Sequence, residues 1–402
     1  MADNRGEQSL RALIPWHSRT FHVIIASSLM GVMGVSLISP VLPELRHAFG
    51  VADTQVGLVI TAFTFPGIFL TPVIGLVADR IGRKRVLVPL LMIFGVSGVA
   101  IAFTTDFTVV LVLRVCQGIG ATALVMLAVT LIGDIYEGAQ LDAVVGINGS
   151  MIGIGAAFFP LVGGLLAVVA WYVPFLFYGV GVLVGVVALV VIQEPTREDA
   201  MDVRTYLDRL LAIARLPRIL AIFVALFVTV FVFYGGVITA LPLLLSDEFG
   251  LGPGTIGPIL AAIAVTEATI ASQYGRLAQI RTGPELVTLG FVAYGSGFLL
   301  LWVTSSIAVI VVALLAFGVG FGVIFPSIDS TLITDSSEDL RAGVMGMRTS
   351  MLRIGQTLGP VGFTGAAEAF FVTTLDGYRT LFFVTGAVVL VGGTLAYVRL
   401  RR

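Results

Sequence analysis

The chain has 402 residues, 57% of them hydrophobic and 12% charged, with a mean hydropathy of +1.05 and a formal net charge of −1. A hydrated surface around a core cannot be built from that composition, so a soluble globular protein is excluded and a polytopic membrane protein is expected. The near-neutral balance implies no nucleic-acid partner, and no P-loop, metal-ligand cluster or catalytic triad candidate stands in the chain, so ATP-driven pumping and enzyme chemistry have no support.

Apolar runs of at least about 17 to 25 residues cross a hydrocarbon layer roughly 30 Å thick as helices. Twelve are predicted, near 21–43, 53–77, 86–104, 108–133, 143–169, 173–192, 219–245, 254–275, 286–304, 306–331, 343–371 and 379–398. The first is too long for a signal-peptide core and lacks a small-x-small cleavage site, so it is expected to be retained. It ends in Pro40-Val41-Leu42-Pro43, where a kink is expected. The single cysteine, Cys116, lies within the fourth run and forms no intrachain disulfide.

Between the second and third runs stands Gly75-Leu76-Val77-Ala78-Asp79-Arg80-Ile81-Gly82-Arg83-Lys84-Arg85. A plain basic loop accounts for the four cations but not for Asp79 or the two glycines. The run resembles the signature of the major facilitator superfamily, G-x-x-x-D-R-x-G-R-K/R, at every defining position. In physical terms, a short loop held by Gly82 presents Arg83 to carboxylates at neighbouring helix ends, with Asp79 and Asp134 the best candidates. Such pairs can favour one conformation and release in another.

The fourth run carries Leu111-x-x-Arg114-x-x-Gln117-Gly118-x-Gly120-Ala121, which is similar to the family's second motif. A charge within hydrocarbon costs about 2.5 to 3.5 kcal/mol on insertion scales, so Arg114 needs a partner or water. The resemblance links this arginine to proton transfer or substrate binding; the alternative is that it snorkels to an interface about 10 Å away. In the fifth run Gly149, Gly153, Gly155, Phe159-Pro160 and Gly163-Gly164 resemble the motif of drug and metabolite antiporters, G-(x)8-G-x-x-x-G-P-x-x-G-G, with Phe159 in place of the glycine before the proline. The eleventh run keeps that pair as Gly359-Pro360. Glycines and a proline here imply close packing and a bendable helix whatever the function. The acidic residue that several related proton-coupled exporters carry in the first run is missing, with Met30, Met33 and Ser36 in its place.

Residues 193–218 form the one long polar connection. Its 202–215 stretch is either an amphipathic helix on the membrane surface or a plain tether. Beyond it the first half returns at an offset of 200: Phe49-Gly50 as Phe249-Gly250, Gly57 as Gly257, Gly75 as Gly275, Gly118 and Gly120 as Gly318 and Gly320, Pro160 as Pro360. One half-unit used twice is expected, with backbone geometry as the thing repeated. The second copy of the basic motif, Gly275-Arg276-Leu277-Ala278-Gln279, has lost its aspartate.

Glu267 is the strongest proton-carrier candidate, since a lone carboxylate at its depth is costly to keep charged; its alternative is a structural hydrogen bond to a neighbouring helix. Asp329 and Arg348 read as gate or interface charges. Arg353 lies deeper, placed either to pair with Glu267 or to receive an anionic substrate. Phe63, Phe65, Phe158, Phe159, Phe231, Tyr234 and Gln356 are candidates to line a substrate cavity.

Eighteen of the 23 basic residues fall in loops that share one side with the N-terminus, which places both ends in the cytoplasm. The expected fold is all-α, with twelve transmembrane helices in two pseudo-symmetric six-helix bundles, 1–192 and 219–402, joined by the 193–218 linker. The resemblance implies a secondary transporter of the cell membrane: a proton-coupled antiporter exporting amphipathic small molecules by alternating access, monomeric, without cofactor and driven by the proton gradient. Alternatives are an exporter of one metabolite (a sugar, an amino acid or a siderophore) and a non-transporting sensor on the same fold.

Overall fold

In the computed structural model, residues 13–194, 217–334 and 341–400 are described. The expected amphipathic stretch at 202–215 lies outside them. Among the described residues, the backbone between short turns is helical, and the long helical stretches number twelve. They are α1 (Arg19–Phe49), α2 (Asp53–Thr64, resuming as Pro66–Ile81), α3 (Arg83–Ile101), α4 (Phe107–Ile135), α5 (Gly138–Val169), α6 (Val173–Val191), α7 (Pro217–Val232, continuing to Phe249), α8 (Pro253–Ile280), α9 (Gly283–Val303), α10 (Ile307–Thr334), α11 (Arg341–Phe370) and α12 (Thr374–Leu400). Eleven contain stretches long and apolar enough to cross a membrane. The other, α11, has 30 residues but is diluted by Arg348, Arg353, Gln356 and Glu368. Helices suit this solvent because each one satisfies its own backbone polar groups. Large apolar side chains left on the outside, Phe103, Val190 and Phe370 among them, suit hydrocarbon.

The punctuation of the sequence explains most breaks. In α1 a 3₁₀ turn at Ser39–Val41 stands where Pro40 and Pro43 take donors away. Phe49-Gly50 and Phe249-Gly250 recur because both glycines end a helix in the left-handed region, at φ 61° and 62°. Asp106 starts α4 by accepting the Thr108 N–H at 2.7 Å, and Thr282 with Glu285 forms a capping box on α9. Within α7, residues Phe233–Ala240 widen into a π-helix around the pair Gly235-Gly236.

The chain forms two compact units. The first comprises Met1–Ser36, Ala62–Ala156 and Tyr172–Ala200; the second comprises Leu37–Thr61, Ala157–Trp171 and Met201–Arg402. In the first, α3 packs on α4 and α6, and α1 on α4 and α6. Gly120 lies against the backbone of Leu90 and Phe94, and Gly95 against that of Tyr178 and Val182, so helix axes approach where side chains are absent. In the second, α9 packs on α10 through Gly290 and Gly320, and on α12 through Gly295 and Gly386. An aromatic core fills the space between, with Tyr294, Phe298 and Phe317 edge to face at 4.7–5.3 Å.

Candidate functional site

In the first unit, the basic loop closes on itself as its residues suggest. Arg83 Nε lies 2.8 Å from Asp134 on α4 and its Nη2 lies 3.4 Å from Asp79, one turn back on α2. Gly82 makes the corner at φ 113°, ψ 144°, and a Cβ on Gly75 would meet the end of the Met126 side chain at 3.4 Å. Arg80 is exposed. One partner escaped the sequence reading: Glu194, after the end of α6, accepts the N–H groups of Lys84 and Arg85 at 3.3 Å and so caps α3. The signal that was there to be used is an acid immediately after the sixth run.

Arg114, on α4 in the same unit, is fully buried and does not snorkel. Its guanidinium donates to Gln117 Oε1 at 2.7 Å and to the Gly34 carbonyl at 3.0 Å, and lies 4.4 Å from the centre of the Phe63 ring. The Tyr178 hydroxyl donates to the same Gly34 carbonyl at 3.0 Å. Gly34 is required for this arrangement, because a Cβ there would run into the Phe63 ring. Phe63 is thus a buried neighbour of Arg114.

The second unit holds a polar chain across α7 and α11. Arg353 Nη1 donates to Gln356 Oε1 at 3.2 Å, and Gln356 Nε2 donates to the Tyr234 hydroxyl at 3.0 Å. Tyr234 stands on the π segment, within electrostatic reach of both Arg353 and Glu267. Glu267, halfway along α8 and half-buried, has no hydrogen-bond or ion-pair partner among the described residues, so neither a structural bond nor a direct bridge to Arg353 is made. The α10 glycines Gly318 and Gly322 lie against the α8 backbone at Glu267. Nearer the helix ends, Arg348 pairs with Asp329 and lies 5.7 Å from the centre of the Phe325 ring. A groove of about 350 Å³ between α7 and α11 is lined by Leu220, Phe223, Phe227, Met347 and Met351.

The antiporter-like glycines and prolines mark a seam inside the second unit, where the first-half segments 37–61 and 157–171 pack among second-half helices. Gly163 lies against the Leu37 carbonyl, Gly164 against the Pro253 carbonyl and Gly257 against the Pro160 carbonyl. The repeat-related crossing has Gly57 beside the Pro360 carbonyl, and Gly359 lies against Phe231 and Gly235 of α7. Ser39 donates to the Ile238 carbonyl at 2.6 Å and Thr61 to the Thr357 carbonyl at 2.7 Å. Phe159 is buried in this unit and Phe158 half-exposed, while Phe65 and Gly155 belong to the first. Neither unit by itself brings the predicted cavity aromatics together.

Two repeats of membrane-crossing helices, buried charges and a glycine-lined seam define a polytopic membrane protein. The family model described as Major Facilitator Superfamily matches residues 24–360 and 223–402, and the chain belongs to that superfamily. Its relatives include a "Bacillibactin exporter" of Bacillus subtilis (strain 168), 30% identical over 365 residues that cover 85% of this chain and 89% of the relative. "Quinolone resistance protein NorA" of Staphylococcus aureus (strain MSSA476) is 26% identical over 347 residues, covering 82% and 85%. Among solved structures, the nucleoside transporter NupG superposes with a TM-score of 0.80 at 14% identity, over 96% of this chain and 99% of that one. A bacterial homolog of the human lysosomal transporter Spinster, inward-facing and unoccupied, superposes with 0.79 at 17% identity, over 96% and 97%. The protein is therefore a transporter and not an enzyme.

Proposed function

We propose that this transporter is a proton-coupled antiporter of the cell membrane that exports amphipathic or hydrophobic small molecules by alternating access. The observation that carries the reading is Glu267: a mid-helix carboxylate, half-buried, with no bonded partner among the described residues. A group that is costly to charge and not held by the protein is free to load and unload a proton. Arg114 tunes the cycle from its buried cage, Asp79, Arg83 and Asp134 latch the cytoplasmic gate, and Arg348 with Asp329 serves the second half. Pro160, Gly163, Gly164, Gly359 and Pro360 form the packed outer seam, and Gly155 belongs to the same motif within the first unit. Tyr234, Arg353, Gln356, Phe158 and Phe159 contact substrate. The protein works as a monomer, with both termini cytoplasmic and the proton gradient as its energy source. The relative named Quinolone resistance protein NorA and the apolar groove beside α11 support a substrate held by area.

A second reading, export of a single siderophore-like metabolite, is favoured by the relative named for bacillibactin. Proton movement in liposomes under an imposed pH gradient, with a panel of lipophilic dyes and drugs, separates the two. Substrate-triggered flux lost in Glu267→Gln is expected. Flux that persists in the variant removes Glu267 from the role, and a panel that triggers none in correctly inserted protein removes the broad-substrate reading.

A further inference from the structure

At one end of the seam in the second unit, Arg46 at the end of α1 is clamped between two acids. Its Nη1 donates to Asp53 Oδ1 and to Asp247 Oδ2, each at 2.7 Å, and its Nη2 donates to the other oxygen of Asp247, so that the contact with Asp247 is a two-pronged fork. Asp53 opens α2 and also accepts the Tyr378 hydroxyl of α12 at 2.6 Å. Beside it the Thr54 N–H donates to Glu368 of α11 at 2.8 Å. First-half residues 46, 53 and 54 are thereby tied to second-half residues 247, 368 and 378.

Three features distinguish this cluster from ordinary packing. The bonds join the two repeats, whereas the nearby Arg379–Glu248 pair stays within the second. The repeat itself does not supply them: at an offset of 200, Arg46 becomes Ser246 and Asp53 becomes Pro253, while Asp247 stands where the first half has His47. And Arg46 and Asp247 are only partly buried, with side-chain exposures of 14% and 23%, so that water can take over their charges when the ends part, while Asp53, at 5%, keeps the Tyr378 hydroxyl as a second partner. Backbone contacts at Gly164 and Gly257 hold the seam by proximity alone; the Arg46 fork adds direction and register.

We propose that Arg46, held by Asp53 and Asp247, is the latch of this end of the seam: made when that end is closed, broken each time it opens. The inference rests on the alternating-access reading but not on proton coupling or substrate. Arg46, Asp53, Asp247 and Tyr378 are accordingly positioning residues, acting on the balance of conformations.

The test uses the full chain in proteoliposomes with Cys116→Ala and Thr61→Cys, whose side chain lies in the seam. Labelling by a membrane-impermeant maleimide reads seam opening and needs no substrate, so it is decided separately from antiport. Arg46→Gln is expected to raise the labelling rate roughly tenfold, the factor that about 1.4 kcal/mol makes in an equilibrium. Arg46→Lys, which keeps the positive charge beside both acids, should hold labelling nearer the native rate than Arg46→Gln does, which a generally loosened fold would not do. Unchanged labelling in folded Arg46→Gln, or labelling of Arg46→Lys as fast as that of Arg46→Gln, overturns the latch. If Arg46→Gln does not fold, the isosteric Asp247→Asn is read by the same criterion.

Discussion

Gly82 answers to two constraints at once. Its backbone stands at φ 113°, a conformation L side chains rarely adopt, and a Cβ there would strike the Glu194 carboxylate that caps α3. Gly82→Ala is expected to lower stability by about 1–3 kcal/mol through backbone strain, seen as a lower melting temperature. Adding Glu194→Ala should relieve the clash but not the strain, so full recovery in the double variant would refute the backbone argument. Arg114 tests the opposite situation. Its guanidinium donates to Gln117 and to the Gly34 carbonyl and lies over the Phe63 ring, so Arg114→Met leaves the buried Gln117 Oε1 without that donor, a loss of about 1–3 kcal/mol. Arg114→Met should therefore melt lower than the native protein while transport falls to background. Retained transport would reduce Arg114 to a packing element.

The helices repeat at an offset of 200, but their crossings are not equally tight. At Gly257 a Cβ would press into the Pro160 carbonyl, because Gly164 brings α5 and α8 together. At the repeat-related Gly57 the nearest atoms would be Thr364 Oγ1 at 3.3 Å and the Pro360 carbonyl at 3.6 Å, because position 364 is threonine where 164 is glycine. Gly57→Ala is expected to be tolerated within about 1 kcal/mol, whereas Gly257→Ala should cost about 1–3 kcal/mol as an overpacked contact; equal melting temperatures for the two would contradict this. Such pairs also show what was legible in the sequence. Glycines and prolines in register announced the crossings, and the Asp79–Arg83–Asp134 contact followed from a motif at known spacing. The Arg46 cluster did not, since its partners stand 201 and 325 residues beyond Arg46 and Asp53 respectively, and no local pattern records a contact between loop ends. Phe63 was legible as a cavity candidate but not as the face beneath Arg114, because 27 Phe residues share one apolar signature.

For the whole molecule, if proton and substrate are exchanged as proposed, the charges near Tyr234 restrict how. Glu267 and Arg353 both lie within electrostatic reach of that side chain without bonding to each other. A cationic substrate that takes the Glu267 carboxylate excludes the proton, which is the sign antiport requires. An anion received at Arg353 would instead be helped by protonation of Glu267, which couples the two in the symport sense. If Glu267 carries one proton per turnover, exchange for a monovalent cation moves no net charge, and exchange for a neutral molecule moves one. One charge across 100 mV is about 2.3 kcal/mol, ample to be read in proteoliposomes. Under a potassium-diffusion potential with no pH difference, export of a neutral substrate should be driven and export of a monovalent cation should not. Cation export driven by potential alone would require more than one proton per cycle, and so a second proton-binding group besides Glu267.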